Sequence, residues 1–412
     1  MFSDFIKEVR MCLTNNILPY WYEQMLDPWG GFFGRRDGTD CLEREAPRGA
    51  IMTARILWAM AASYRVLGVE KYRETAELAK REIIDKFYDP EYGGVYWSID
   101  ESRKPLDTKK QFYAIGFAIY GLSELARATG DTEARDMAMR LFRDIENYSH
   151  DHKNGGYIEA LTRDWQPIED MRLSEKDYNA SKTMNTHLHI IEPYTNLLRC
   201  LHPGSEQYKE VAKATASLLR LFFDKIEKER GHLGLFFDDE WNRQDHIISY
   251  GHDIEASWLL LETAQVLGDE KLLERTKRET RRMAMAALEG RCVDGSMIYE
   301  RHASGAYDND KHWWVQAECV VGQLWLYRFH DMPEQLERAY QTWRYIVKYL
   351  IDFDWGEWHW KVNANGEIDH YSDKAGFWKC PYHNSRMCLE VIERLSEIAP
   401  VKAEPQAVAQ EA

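Results

Sequence analysis

The sequence predicts an all-α fold, an (α/α)6 barrel of six inner and six outer helices with short β-hairpin-like loops at the active-site end. Two observations carry this. Short segments joining glycine to aromatic or β-branched residues recur along the chain, and two helical patterns lie between each segment and the next. The glycines marking these segments, Gly30, Gly93, Gly155, Gly234, Gly295 and Gly356, are 63, 62, 79, 61 and 61 residues apart. The longest interval holds a polar insertion around Ser174 to Lys182. Within each helical pair the first member is apolar nearly all round and the second is amphipathic, as in GAIMTARILWAMAASYRVLG (49–68) and EKYRETAELAKREIIDKFYD (70–89). A helix apolar on every side must be buried, and an amphipathic one covers it. Six such hairpins close into a ring. The alternative is an open solenoid, which would show a charged groove face that the inner helices lack. Residues 1–398 are expected to form this single barrel, and the small, polar tail 399–412 is expected to be disordered. The glycine segments are expected immediately before the inner helices, gathering all six inner N-termini at one end around a pocket.

Composition narrows the partners. A formal net charge of −15 argues against nucleic acid and against an anionic membrane surface. No 18-residue apolar run spans a bilayer, and the charged start MFSDFIKEVRMCLTNN reads as an amphipathic helix and not a signal peptide. Seven cysteines, an odd number without a CxxC, suit reduced thiols in the cytoplasm. Aromatics reach 13%, which suits stacking on sugar faces, although most large rings fill core.

Polar residues in helices that should be apolar locate the chemistry. In the first inner helix Arg55 is the sole charge between Gly49 and Tyr64, so it is either half of a structural ion pair or faces a polar cavity. The second opens QFYAIGFAIY (111–120) with Tyr113, a pocket hydroxyl or a core tyrosine. In MNTHLHIIEPYTNLL (184–198), Asn185, His189 and Glu192 share one face at i, i+4, i+7, while His187 points elsewhere. His189 is a site residue or a satisfied core histidine. The fourth helix begins SYGHDIEASWLLL (249–261), with Glu255 three residues from His252 and able to fix its tautomer. The alternative there is a solvated His252 beside a capping Asp253. The fifth begins DKHWWVQAECVVG (310–322), where Glu318 lies near the entrance and only one of Trp313 and Trp314 can face a pocket. The sixth begins FWKCPYHNSRMCLEVI (377–392), with Trp378 upstream and His383 in the first turn after Pro381. One such histidine is unremarkable, but three at the same end of three inner helices suggest a shared site.

Imidazoles exchange protons near neutral pH. Two of them on opposite faces of a carbon α to a carbonyl can invert it. C2 of a ring-opened aldose is such a carbon. A third histidine can help open the ring, and a cation such as Arg55 can stabilise the enediolate oxygen. No GxGxxG, P-loop or HExxH is present, so neither cofactor nor metal is expected. The rival readings are an (α/α)6 glycoside hydrolase, which needs two carboxylates flanking a bond, and a non-catalytic sugar-binding protein.

The segments MNTHLHIIEPY (184–194), SYGHDIEASW (249–258), HWWVQAE (312–318) and FWKCPYHN (377–384), with ARILW (54–58) and GGVYW (93–97), carry a resemblance from about Phe5 to Leu395. The chain resembles the N-acylglucosamine 2-epimerase superfamily, and within it the branch acting on cellobiose-type disaccharides. The resemblance implies an (α/α)6 barrel and cofactor-free inversion at C2 of a reducing-end glucose through a cis-enediol. It implies His252 and His383 as the acid/base pair and His189 as the ring-opening group. Arg55, Tyr113 and Asn185 would bind hydroxyls, Glu255 would orient His252, and Trp314 and Trp378 would pack against sugar. The insertion LSEKD (173–177) implies a loop whose Ser174 and Asp177 touch a second sugar. The chain departs from the pattern at Gln111, where relatives often have His, and at Ile115, where they usually have Gln. These departures bear on sugar preference and not on the reaction. A mannose 2-epimerase or mannose isomerase is the rival within the family. The expected assembly is a monomer or homodimer.

Overall fold

The computed structural model describes residues 2–398. The tail expected to be disordered lies outside the described residues. Among those described, twelve α-helices alternate between two environments. The inner set is α2 (Ala50–Leu67), α4 (Phe112–Thr129), α6 (Met184–Leu198), α8 (Tyr250–Leu267), α10 (Trp313–Phe329) and α12 (His383–Ser396). The outer set is α1 (Phe2–Cys12), α3 (Glu70–Glu82), α5 (Thr132–Tyr148), α7 (Glu206–Leu221), α9 (Glu270–Ala287) and α11 (Glu334–Tyr349). Every residue of α2 from Ala50 to Ser63 is buried, whereas α3 buries one face only. Each inner helix touches the next in sequence, and α12 touches α2. Each outer helix packs on an inner partner, α1 on α12 and the others on the helix that precedes them. No described helix is long and apolar enough to cross a membrane.

Helix ends explain the tight hairpins. α2, α4 and α8 stop at Gly68, Gly130 and Gly268, whose φ values of 71°, 79° and 69° lie in the left-handed region. The next residues turn at once into the outer helix, and Asp131 and Asp269 cap α5 and α9 by accepting from Ala134 N and Leu272 N.

The glycine segments do not lie immediately before the inner helices. Each follows an outer helix, and short antiparallel strand pairs intervene, such as Ser98–Ile99 with Pro105–Asp107 before α4. In the fourth repeat the left-handed glycine is Gly231 (φ 105°) and not Gly234. In four repeats an aspartate accepts from its own turn, and a cation from the strand region before the next inner helix pairs with it. These pairs are Asp27–Arg48, Asp89–Lys110, Asp151–Lys182 and Asp352–Lys374. The ion pairs clamp these four turns to the segments that lead into α2, α4, α6 and α12.

At the opposite end Arg65, from α2, pairs with Glu124 of α4 and Glu393 of α12, and Arg199 and Arg394 both reach Glu262 of α8. These groups surround a cavity of about 210 Å³.

Candidate active site

The first turns of the inner helices bring the expected residues together. Tyr113, His252, Trp314 and His383 lie within three residues of their helix starts, and His189 lies one turn further in. The positive ends of several helix dipoles thus converge on one place, which favours negative charge there.

Each of the three histidines is held through Nδ1. His189 Nδ1 meets Glu192 Oε2 at 2.9 Å, His383 Nδ1 meets Glu318 Oε1 at 2.7 Å, and His252 Nδ1 meets Ser249 Oγ at 2.8 Å. Nε2 of each has no protein partner among the described residues. With Nδ1–H donated to a carboxylate, Nε2 of His189 and His383 presents a lone pair. Burial lowers the affinity of all three rings for protons, to about 3 for His252 and His383. For His383 the carboxylate of Glu318 opposes that shift.

The rings share walls. Trp314 lies 4.8 Å from His252 and 5.5 Å from His383 between ring centroids. Tyr382 lies 4.5 Å from His383 and 6.2 Å from His189. Two glycines make this possible. A Cβ on Gly251 would stand 2.5 Å from the Trp314 ring, and one on Gly116 would stand 2.3 Å from the His189 carbonyl oxygen. That carbonyl is free of the usual helical bond because residue 193 is proline and has no N–H.

Arg55 is 3% exposed and forms no ion pair with a carboxylate among the described residues, which corrects the ion-pair alternative. Its Nη2 donates to the Tyr113 hydroxyl at 2.8 Å and Nη1 to Trp378 O at 3.4 Å. The guanidinium lies 4.1 Å over Phe117 and 4.7 Å over Tyr382. Asn185 keeps a buried Oδ1 without a partner. Trp378 is half-buried, 6.0 Å from Tyr113. Trp313 packs against Trp360 at 4.7 Å and also stands edge-on to His383 at 6.3 Å.

One expectation fails, and one alternative falls with it. Glu255 does not orient His252; its Oε1 accepts from Arg386 at 2.6 Å and lies 3.8 Å from His383 Nδ1. The i, i+3 spacing put it on the right helix but said nothing of the neighbour that claims it. Asp253 does not cap α8; it accepts from His232 Nδ1 at 2.7 Å and Leu233 N at 2.9 Å. His187 is structural, with Nδ1 on Thr183 O and Nε2 accepting from Tyr157 N at 2.9 Å.

Sequence reasoning missed Arg386 and Tyr382. Arg386 contacts Glu192, Glu255 and Glu318 at once. It stands in the first turn of α12 behind the polar residues His383, Asn384 and Ser385, so it did not stand out as the lone charge Arg55 did. Burial and the charge on Glu318 push the Glu255 carboxyl up, whereas Arg386 and His383 overcome burial at Glu318 and hold it at about 2. Glu255, Glu318 and His383 are also the sole grouping of potential metal ligands among the described residues. The Arg386 guanidinium already donates to both carboxylates, so the place of a cation is taken.

Ser174 and Asp177 sit in the inserted loop, half-buried and bonded to each other, with Ser174 N on Asp177 Oδ2 at 3.0 Å. Gln111 is buried, and its Nε2 donates to Met171 O and Arg172 O at 3.0 Å each, anchoring that loop to the start of α4. Ile115 is buried core.

Comparison with known proteins follows the same lines. The sequence model of the N-acylglucosamine 2-epimerase (GlcNAc 2-epimerase) family matches residues 31–385. A cellobiose 2-epimerase of Bacteroides fragilis is 53% identical over 389 residues, covering 94% of this chain and 98% of the relative. The structure of the cellobiose 2-epimerase of Bacillus thermoamylovorans superposes with a TM-score of 0.88 at 37% identity, covering 95% of this chain and all of that one. A D-mannose isomerase at 18% identity and a TM-score of 0.80 shares the fold.

Proposed function

Because the chain belongs to the N-acylglucosamine 2-epimerase family, we propose that it inverts C2 of the reducing-end glucose in β-1,4-linked disaccharides, converting cellobiose to glucosyl-mannose and lactose to epilactose. One observation carries the chemistry: three histidines fastened through Nδ1 keep Nε2 without a partner among the described residues, and they share the Trp314 and Tyr382 rings as walls. His189 assists ring opening. One of His252 and His383 takes the C2 proton, and the C–H electrons form the C1–C2 double bond of a cis-enediolate, with the charge on O1. The other imidazole, which enters the step with a proton on Nε2, delivers it to C2 from the opposite face and is left deprotonated, the C1 carbonyl re-forms, and the ring closes. Proton exchange with solvent resets the pair. Arg55, with no carboxylate to neutralise it among the described residues, and the helix N-termini stabilise the enediolate oxygen. Tyr113 and Asn185 bind hydroxyls. Trp314 and Trp378 pack against the sugar rings, and Ser174 and Asp177 meet the second sugar.

The wider reading is a cofactor-free catalytic (α/α)6 barrel over residues 1–398, working in the cytoplasm as a monomer or homodimer. The contact of α12 with α2 supports closure of the ring. A glycoside hydrolase needs two available carboxylates, and Glu192, Glu255 and Glu318 are all engaged by Arg386. The test is incubation with cellobiose, lactose and mannose followed by product analysis. Glucosyl-mannose and epilactose are expected. A higher kcat/KM on mannose would make the substrate a monosaccharide, and release of glucose would mean hydrolysis.

A further inference from the structure

A single guanidinium stands behind two of the three histidines. Arg386 Nη1 donates to Glu192 Oε1 and the Tyr382 hydroxyl, and its Nη2 donates to Glu255 Oε1 and Glu318 Oε1 at 2.6 Å each. The other oxygen of Glu192 holds His189, and Glu318 Oε1 holds His383. The carboxylates come from α6, α8 and α10 and the guanidinium from α12. Arg386 is 2% exposed, and Tyr382 and Trp258 face it at 4.2 and 4.7 Å.

We propose that Arg386 is the positioning residue that sets the tautomer of both His189 and His383, by fixing Glu192 and Glu318 as acceptors toward Nδ1. The inference rests on the histidine assignment above. Each carboxylate has two roles open to it. As an acceptor it draws Nδ1–H and leaves the Nε2 lone pair toward the sugar. As a protonated acid it donates to Nδ1 instead, the imidazole proton moves to Nε2, and the base is lost. Three carboxylates crowded in a buried site favour proton uptake unless a cation opposes it. Arg386 supplies that cation to all three. A planar fork can serve four acceptors from two nitrogens, which a lysine ammonium cannot. Glu255 hydrogen-bonds no histidine, and its Oε2 has no partner. It is the member suited to carry a proton without disturbing a tautomer, in keeping with the upward push on its carboxyl. The other titratable groups facing the cluster include Arg55 from α2, Tyr113 and Tyr120 from α4, His252 and Glu262 from α8, and Glu390 from α12 itself. Arg55 sits over Tyr382 on the sugar side, and Glu262 and Glu390 line the cavity behind Arg386.

The test combines nitrogen-15 NMR of the histidine rings with kinetics of Arg386→Met and Arg386→Lys. In the unmodified protein His189 and His383, assigned through His189→Gln and His383→Gln, are expected to carry the proton on Nδ1. In Arg386→Met the proton moves to Nε2, kcat falls about 10²–10⁴-fold with little change in KM, and the acid limb of the pH profile moves to higher pH. Arg386→Lys keeps the charge, so the acid limb stays while kcat falls to an intermediate value. Nε2–H tautomers in the unmodified protein overturn the proposal. So does a folded Arg386→Met with unmodified tautomers and pH profile. If Arg386→Met does not fold, the unmodified spectrum and Arg386→Lys decide. Retained turnover in His383→Ala would defeat the underlying assignment. Lost turnover there, with Arg386 variants that leave the tautomers unmoved, would defeat this inference alone.

Discussion

Replacing Glu318 by glutamine removes one charge while keeping the shape. Glu318 Oε1 accepts from His383 Nδ1 at 2.7 Å and Arg386 Nη2 at 2.6 Å, and Oε2 accepts from Trp258 Nε1 at 2.9 Å. An amide has one oxygen. Turned toward His383 and Arg386, it orphans the buried Trp258 N–H, at about 1–3 kcal/mol of stability. Turned the other way, it sets its own N–H₂ against two donors, which costs more. The first orientation therefore holds, and His383 keeps its tautomer. What is lost is the negative charge that steadies the imidazolium formed when His383 takes a proton. Hydrogen bonds to charged groups contribute about 1.5–3 kcal/mol against about 0.5–1.5 for neutral ones. The difference of about 1–2 kcal/mol corresponds to roughly a 5–30-fold fall in kcat. Glu318→Ala removes all three contacts and is expected to lose about 10²–10⁴-fold. Chromatographic rates of epimerisation, with circular-dichroism melts, check both. A folded Glu318→Gln within about twofold of the unmodified rate, or as inactive as the alanine variant, would refute this reasoning.

Stability should fall with acid. His252 and His383 bind protons at about 3 when folded, against 6.5 when unfolded, so the stabilisation they give is complete above pH 6.5 and is lost as pH falls toward 3. At pH 5 each contributes a loss of about 2 kcal/mol, and a Tm that stays flat from pH 6.5 to 4.5 would contradict this. Gly116→Ala forces the His189 carbonyl aside and is expected to cost about 1–3 kcal/mol of stability and to lower kcat. An unchanged melt and rate would show that α4 and α6 yield freely. Gln111→Leu removes two bonds to the inserted loop and is expected to weaken loop closure by about 1–3 kcal/mol. KM for cellobiose should rise and amide exchange at 171–177 quicken, while unchanged exchange would mean that the loop stands without this anchor.

The alternation of buried and amphipathic helices was legible because α3 shows a one-sided 3.6-residue period and α2 is apolar nearly all round, both without any tertiary knowledge. His252 and His383 were legible as polar residues in the first turn of an inner helix, and His189 from the face it shares with Asn185 and Glu192. Pairing between helices was not. His383 finds its carboxylate 65 positions away on α10, and Glu255 finds its guanidinium 131 positions away on α12. Spacing within one helix carries no information about either. His252, expected to lean on Glu255, takes its bond three residues upstream from Ser249 instead. The strand pairs before each inner helix were expected only as β-hairpin-like loops, without bounds or register, because two-residue strands are too short to show a period of two. Gln111 looked like an altered contact to sugar, but its amide is spent on loop carbonyls that no local pattern reveals.

The central claim is proton inversion at C2 by two histidines, and the most direct measurement is turnover of cellobiose in heavy water by the unmodified protein, His252→Ala and His383→Ala. The account predicts glucosyl-mannose carrying deuterium at C2 from the unmodified protein. It predicts a fall of about 10²–10⁴-fold or more in each variant, with the helical circular-dichroism spectrum intact. A product without deuterium at C2, or near-normal turnover in either folded variant, would contradict it.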